Sequence, residues 1–63
     1  MTNSDWLISI ENAAATVAKE IGWNTVLFVL QEYGGVSSIE DLNPGSYRAV
    51  YNAIFDYEVG MKD

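Results

Sequence analysis

The sequence predicts an all-α fold, a small three-helix bundle with a short extra helical turn between helices 2 and 3. Apolar residues recur every three or four positions in three segments, which is the spacing of one face of a helix. Gly22 and the pair Gly34-Gly35 end the first two segments, and Asn43-Pro44 opens the third. We therefore expect the 63 residues to form a single helical domain, residues 1–63.

The first helix is predicted over about residues 5–21. Ser4 is a suitable N-cap, and Asp5 is favourably placed near the positive end of the helix dipole. Gly22 is expected to stop the helix. The apolar stripe that should face the core consists of Trp6, Ile10, Ala13, Ala14, Val17 and Ile21.

The second helix is predicted over about residues 24–33, with Asn24 as its N-cap and Gly34-Gly35 as its stop. Residues 25–30 are rich in strand-favouring types, so a strand is the alternative for this run. We prefer a helix because the run does not alternate and a lone strand would leave its backbone groups unpaired. The expected inward stripe consists of Trp23, Val26, Leu27, Leu30 and Tyr33.

A single helical turn is predicted over residues 38–42. Ser37 and Glu40 have the spacing of a capping box at its start. Ile39 and Leu42 are expected to point inward and anchor the turn to the core.

The third helix is predicted over about residues 44–59. Asn43 is a good N-cap, Pro44 is tolerated in a first turn, and Gly60 should end the helix. The inward stripe is expected to contain Tyr47, Val50, Ile54 and Met61, flanked by Tyr51 and Tyr57. A solvated polar seam on the opposite side is formed by Arg48, Asn52 and Asp56.

The chain is acidic, with nine Asp and Glu residues against three basic ones and a net charge of −6. Lys19, Arg48 and Lys62 are scattered rather than clustered, so we expect no direct binding to nucleic acid or to an anionic membrane. The apolar runs are shorter than the roughly 20 residues that cross a membrane. The first residues lack the basic start of a signal peptide, and there is no cysteine, so a cytoplasmic protein is expected.

The residues that most often carry chemistry are missing. Without histidine or cysteine the chain lacks the commonest general base, a thiol nucleophile and the usual zinc ligands. Glu40 and Asp41 are adjacent and diverge on a helical turn, and the spacing of a calcium loop does not occur. We therefore expect a non-enzymatic protein with no cofactor and no metal site.

On helical wheels Ile8, Phe28 and Phe55 lie away from the centres of the inward stripes. Each of them either packs sideways against a neighbouring helix or belongs to an exposed patch for association. An aromatic side chain near an arginine is a typical interface anchor. The candidate interaction surface comprises Ile8, Phe28, Arg48, Tyr51 and Phe55. Its expected occupant is a protein partner or a second copy of the chain, in an accessory role.

Acidic residues in the second half of the chain predict an alternative surface. A dense array of carboxylates imitates the charge of nucleic acid and can occupy the basic groove of an enzyme. The alternative function is therefore an acidic, nucleic-acid-mimicking inhibitor of a host or defence enzyme. The candidate acidic surface comprises Glu40, Asp41, Asp56 and Glu58.

Residues 30–44, followed by residues 47–51, resemble small uncharacterised all-helical proteins of bacterial phages and conjugative elements. In that pattern a helix ends in Tyr-Gly, a turn ends in Asp-Leu-x-Pro, and an aromatic residue begins the next helix. The matching residues are Tyr33-Gly34, Asp41-Leu42-Asn43-Pro44 and Tyr47. The resemblance covers about half of the chain and implies a helix, turn and helix arrangement, without assigning any functional residue.

Overall fold

Three helices dominate the computed structural model, which describes residues 2–61. They are α1 (Asn3–Glu20), α2 (Trp23–Gly34) and α3 (Tyr47–Met61). Two short 3₁₀ turns, Ile39–Asp41 and Pro44–Ser46, lie between α2 and α3. The predicted all-α bundle with an intervening turn is confirmed, and residues 25–30 lie within α2. No helix among the described residues is long and apolar enough to cross a membrane.

The core lies where α1, α2 and α3 pack pairwise against one another. Within residues 2–61 every buried side chain is of a hydrophobic type, and none is charged. Each fully buried aliphatic side chain contributes about 1.5–3 kcal/mol of transfer free energy. The buried residues are Ile10, Ala13, Ala14, Val17, Val26, Val29, Leu30, Leu42, Tyr47, Val50 and Ile54.

The start of α1 is held by Thr2, not by Ser4 as predicted. The Asp5 backbone N–H donates to Thr2 Oγ1 at 3.1 Å, and the Thr2 N–H donates to Asp5 Oδ2 at 3.3 Å. These two bonds form a capping box. Thr2 and Asp5 have the required three-residue spacing, whereas the residue three positions after Ser4 is Leu7. The helix therefore begins two residues earlier than expected.

Three residues at the ends of the predicted inward stripes are exposed rather than buried, so the prediction was wrong there. Ile21 is 49% exposed, Trp23 is 48% exposed and Tyr33 is 52% exposed. Ile21 is the residue after α1, and the other two lie in the first and last turns of α2, where a facing helix covers less surface. Asn24 is also not a cap, because Gly22 occupies the N-cap position of α2 with a positive φ of 121°.

The inward face of α2 differs from the predicted stripe by one residue. Val29 is buried beside Val26 and Leu30, while Leu27 is only half-buried. Helical spacing places Val26, Val29 and Leu30 on one face, at positions i, i+3 and i+4. The predicted stripe of α2 therefore contained Leu27 where the structure buries Val29.

Gly34 and Gly35 end α2 for two different reasons. Gly35 adopts a left-handed conformation with φ of 65°, and its N–H donates to the carbonyl of Gln31 at 3.1 Å. Gly34 has ordinary helical backbone, but a Cβ there would overlap the side chain of Leu42 and would lie 3.5 Å from Val50. The absence of a side chain at Gly34 therefore lets Leu42 reach the core.

The segment between α2 and α3 is anchored as predicted but is capped differently. Leu42 is buried and Ile39 is half-buried against the core. Ser38 precedes the first 3₁₀ turn and Asn43 precedes the second, and neither makes a side-chain capping hydrogen bond. The predicted capping box of Ser37 with Glu40 was therefore wrong, whereas Asn43 does occupy the N-cap position before Pro44, without a side-chain hydrogen bond.

The third helix begins and ends later than predicted. Pro44 opens a 3₁₀ turn that leads into the α-helix at Tyr47. The helix continues through Gly60 to Met61, so Gly60 does not end it. Tyr47, Val50 and Ile54 are buried as predicted, and the Met61 side chain lies outside the described residues. The flanking Tyr57 is 39% exposed.

Replacing the capping threonine tests the start of α1. Thr2→Ala removes the acceptor for the Asp5 N–H and should lower the free energy of unfolding by about 1 kcal/mol. Ser4→Ala, inside the helix, should leave it unchanged within about 0.5 kcal/mol. Urea denaturation followed by circular dichroism measures both. An equal loss in the two variants would contradict the capping role of Thr2.

A methyl group at Gly34 tests the close approach of Leu42. Gly34→Ala should destabilise the fold by about 1 kcal/mol, because overpacking costs about 1–3 kcal/mol and the loss of glycine returns part of it. Gly45→Ala is the matched control, since nothing lies within 4 Å of a Cβ at that position. Thermal unfolding of the two variants measures the difference, and equal stability would contradict the packing argument.

Candidate functional site

An aromatic surface, consisting of Trp6, Tyr51 and Phe55, lies where α1 meets α3. The rings of Trp6 and Tyr51 meet edge to face, with centroids 5.8 Å apart and planes at 71°. The rings of Tyr51 and Phe55 are stacked, with centroids 6.0 Å apart and planes at 17°. Both separations are typical of favourable aromatic pairs. The three rings therefore form one continuous cluster that links the two helices.

One part of the aromatic surface packs against the core, and the other part is exposed to solvent. Trp6 and Tyr51 are half-buried and pack against the core, whereas Phe55 is 42% exposed. Helical spacing continues the surface along α3 in both directions, from Arg48 before Tyr51 to Val59 after Phe55. Val59 is 42% exposed and Arg48 is exposed. The result is an apolar strip with a cationic end.

Phe28 is exposed but isolated. It is 51% exposed and lies on the opposite side of α2 from the buried residues Val26, Val29 and Leu30. Its neighbours one turn away include Asn24 and Glu32, which are polar and exposed. Phe28 therefore does not join the aromatic surface, although the sequence placed it in the same candidate set.

Ile8 is a second isolated apolar residue. It is 57% exposed and lies on the side of α1 that faces away from Ile10 and Val17. The residues one turn away on this face include Asp5 and Asn12, both exposed. Of the five predicted interaction residues, the structure places only Arg48, Tyr51 and Phe55 on one strip.

The four predicted acidic residues lie on separate parts of the surface. Glu40 and Asp41 are exposed on the first 3₁₀ turn, which packs near α1. Asp56 is exposed on α3, whereas Glu58 is half-buried and points around the helix toward α1. Residues two positions apart on a helix do not share a face. Among the described residues no cluster of three or more carboxylates has the arrangement of a metal site.

A shallow groove of about 260 Å³ runs between α1 and α3 beside the aromatic surface. Tyr51 and Glu58 line it from α3, and small residues line it from α1. One of them, Thr16, already donates its hydroxyl to the Asn12 carbonyl at 3.1 Å. The α1 lining residues are Ser9, Asn12, Ala13 and Thr16.

A second groove of about 250 Å³ was missed by the sequence reasoning. It is lined by Trp23 and Ile39 together with the carboxylates Glu11 and Glu40, with two serines completing the wall. The sequence assigned Trp23 to the core by periodicity alone. Its position next to Gly22, at the end of a predicted stripe, was the available signal that its ring is exposed.

Comparison with protein-family models, curated proteins and solved structures gave no match. The resemblance to proteins of phages and conjugative elements therefore stays a prediction.

A double-mutant cycle measures the contact on which the aromatic surface depends. Trp6→Leu and Tyr51→Leu should show a coupling free energy of about 0.5–1.5 kcal/mol, because the edge-to-face contact exists only when both rings are present. Trp23→Leu with Tyr51→Leu is the control pair, since Trp23 lines the other groove. Chemical denaturation of all variants gives the coupling. Equal coupling in both pairs would show that the Trp6 contact is not specific.

Proposed function

We propose that this domain is a non-enzymatic accessory protein that binds another polypeptide chain through its aromatic surface. The observation that carries the proposal is the stacked cluster of Trp6, Tyr51 and Phe55, which ends in a ring that is 42% exposed. A single exposed apolar residue is ordinary on a protein surface, whereas a contiguous group is typical of an interface.

Packing beneath the exposed ring supports this role. Tyr51 is held between Trp6 and Phe55, so the surface is ordered before a partner arrives. A preordered aromatic anchor loses little side-chain entropy on binding, and such anchors supply much of the energy of protein interfaces. Arg48 adds a cation that pairs readily with a carboxylate of a partner.

Nucleic-acid mimicry has less support from the arrangement of charge. A mimic requires closely spaced carboxylates along one face. Glu40 with Asp41 and Asp56 with Glu58 lie on different elements, and the members of the second pair lie on different faces of α3. Protein binding through the aromatic surface is therefore the preferred proposal.

Matched substitutions of two phenylalanines test the proposal. Phe55→Ser should weaken binding of a captured protein at least about 30-fold, which corresponds to the loss of an interface hot spot of about 2 kcal/mol. Phe28→Ser removes the same group from an equally exposed but isolated position and should leave binding unchanged. The measurement is affinity capture from a lysate of the cell of origin, read by quantitative mass spectrometry for all three proteins.

Circular dichroism serves as the folding control for both variants. Each replaced ring is about half exposed, so helix content should stay unchanged at 25 °C in both cases. A partner that is lost equally from Phe55→Ser and Phe28→Ser would indicate nonspecific adhesion to exposed rings. A captured set that is the same for all three proteins would contradict the proposed surface.

A further inference from the structure

The charges on the solvent-facing side of α3 are complementary to those of a second α3 helix that runs antiparallel to it. Arg48, Asn52 and Asp56 are spaced four residues apart, and all three are exposed. The positive and negative charges therefore lie at equal distances, about 6 Å along the helix axis, on either side of Asn52. Ala49 and Phe55 flank the seam and are also exposed.

We propose that this face binds a second copy of the chain, with the two α3 helices antiparallel about a two-fold axis at Asn52. This arrangement places Arg48 of each copy level with Asp56 of the other, so that two ion pairs form by symmetry. The proposal rests on the proposed function, since it uses Phe55, and it names the partner.

The residues along the axis fit this arrangement. An asparagine side chain carries both donors and an acceptor, so Asn52 of one copy pairs with Asn52 of the other. The same symmetry brings Phe55 of each copy beside Arg48 of the second, where a guanidinium packs favourably on an aromatic ring. Ala49 is small and lets the two helices approach closely.

Charge favours this geometry over other contacts between copies. Each chain carries a net charge of −6, so two copies repel one another in most orientations. Arg48 is one of only three basic residues, and the antiparallel arrangement places it next to a carboxylate of the second copy. A parallel pair of helices would place like charges opposite one another.

Charge reversal in trans tests the arrangement. Arg48→Asp alone places two acidic pairs across the interface, and Asp56→Arg alone places two basic pairs there. Each variant should dimerise at least about tenfold more weakly than the unmutated chain. An equimolar mixture restores both ion pairs and should dimerise about as tightly as the unmutated chain. Glu32→Arg, on the exposed side of α2, changes net charge as Asp56→Arg does and should dimerise normally.

Sedimentation equilibrium up to about 1 mM chain suits the weak dimer expected from a single helix pair. Circular dichroism confirms that each exposed substitution leaves the fold intact. Dimers that form in the mixture, and not in either variant alone, support the antiparallel interface. The proposed interface is overturned if the unmutated chain stays monomeric. It is also overturned if the charge-reversed variants dimerise as tightly as the unmutated chain, or if their mixture stays monomeric. In each of those cases loss of a foreign partner by Phe55→Ser would still support the proposed function.

Discussion

The contact between α1 and α3 supports both the core and the candidate site. The sequence of 63 residues contains neither cysteine nor histidine, so it offers no disulfide and no usual zinc ligands, and apolar burial is the main stabilising contribution in the described structure. Ala13 and Ala14 are buried on α1 and allow close helix packing. The ring of Trp6 then meets Tyr51 at the edge of this contact. The exposed ring of Phe55 stacks on Tyr51, so its position depends on the same contact between α1 and α3.

Much of the fold was predictable because helical period and glycine position are local properties of the sequence. The three helices, the turn anchored by Leu42 and the buried faces of α1 and α3 follow from spacing alone. Most failures lie at the helix ends, as with Ile21 and Tyr33, and one lies within α2, where the buried Val29 was left out of the stripe. Periodicity tells which side of a helix faces inward, but not whether a neighbouring element extends far enough to cover the last turn. The role of Gly34 could not be predicted from the sequence pattern. It depends on Leu42, which reaches Gly34 only when the turn between α2 and α3 packs against the core.

The candidate site was predictable only in part. Spacing placed Tyr51 and Phe55 on one strip, because both belong to α3. Spacing did not show that Trp6 belongs to the aromatic surface, since the contact between Trp6 and Tyr51 joins helices that are far apart in sequence. In the sequence Phe28 has polar neighbours at helical spacing and Phe55 has an aromatic one, Tyr51, and the stacked pair of Tyr51 and Phe55 follows from that spacing. Tertiary structure adds the third ring, since Trp6 reaches Tyr51 only when α1 packs on α3.

Net negative charge and exposed aromatic surface have opposite effects on association with other proteins. Apolar surface alone would favour contact with many proteins, whereas a net charge of −6 opposes close approach to other acidic chains. In the proposed interaction, an acidic partner would have to gain enough at the aromatic surface to overcome that repulsion. Arg48 and Asp56 carry opposite charges on the exposed face of α3, beside the exposed ring of Phe55. For the proposed interaction, selectivity would depend on where the few positive charges lie, because the carboxylates lie on several separate parts of the surface.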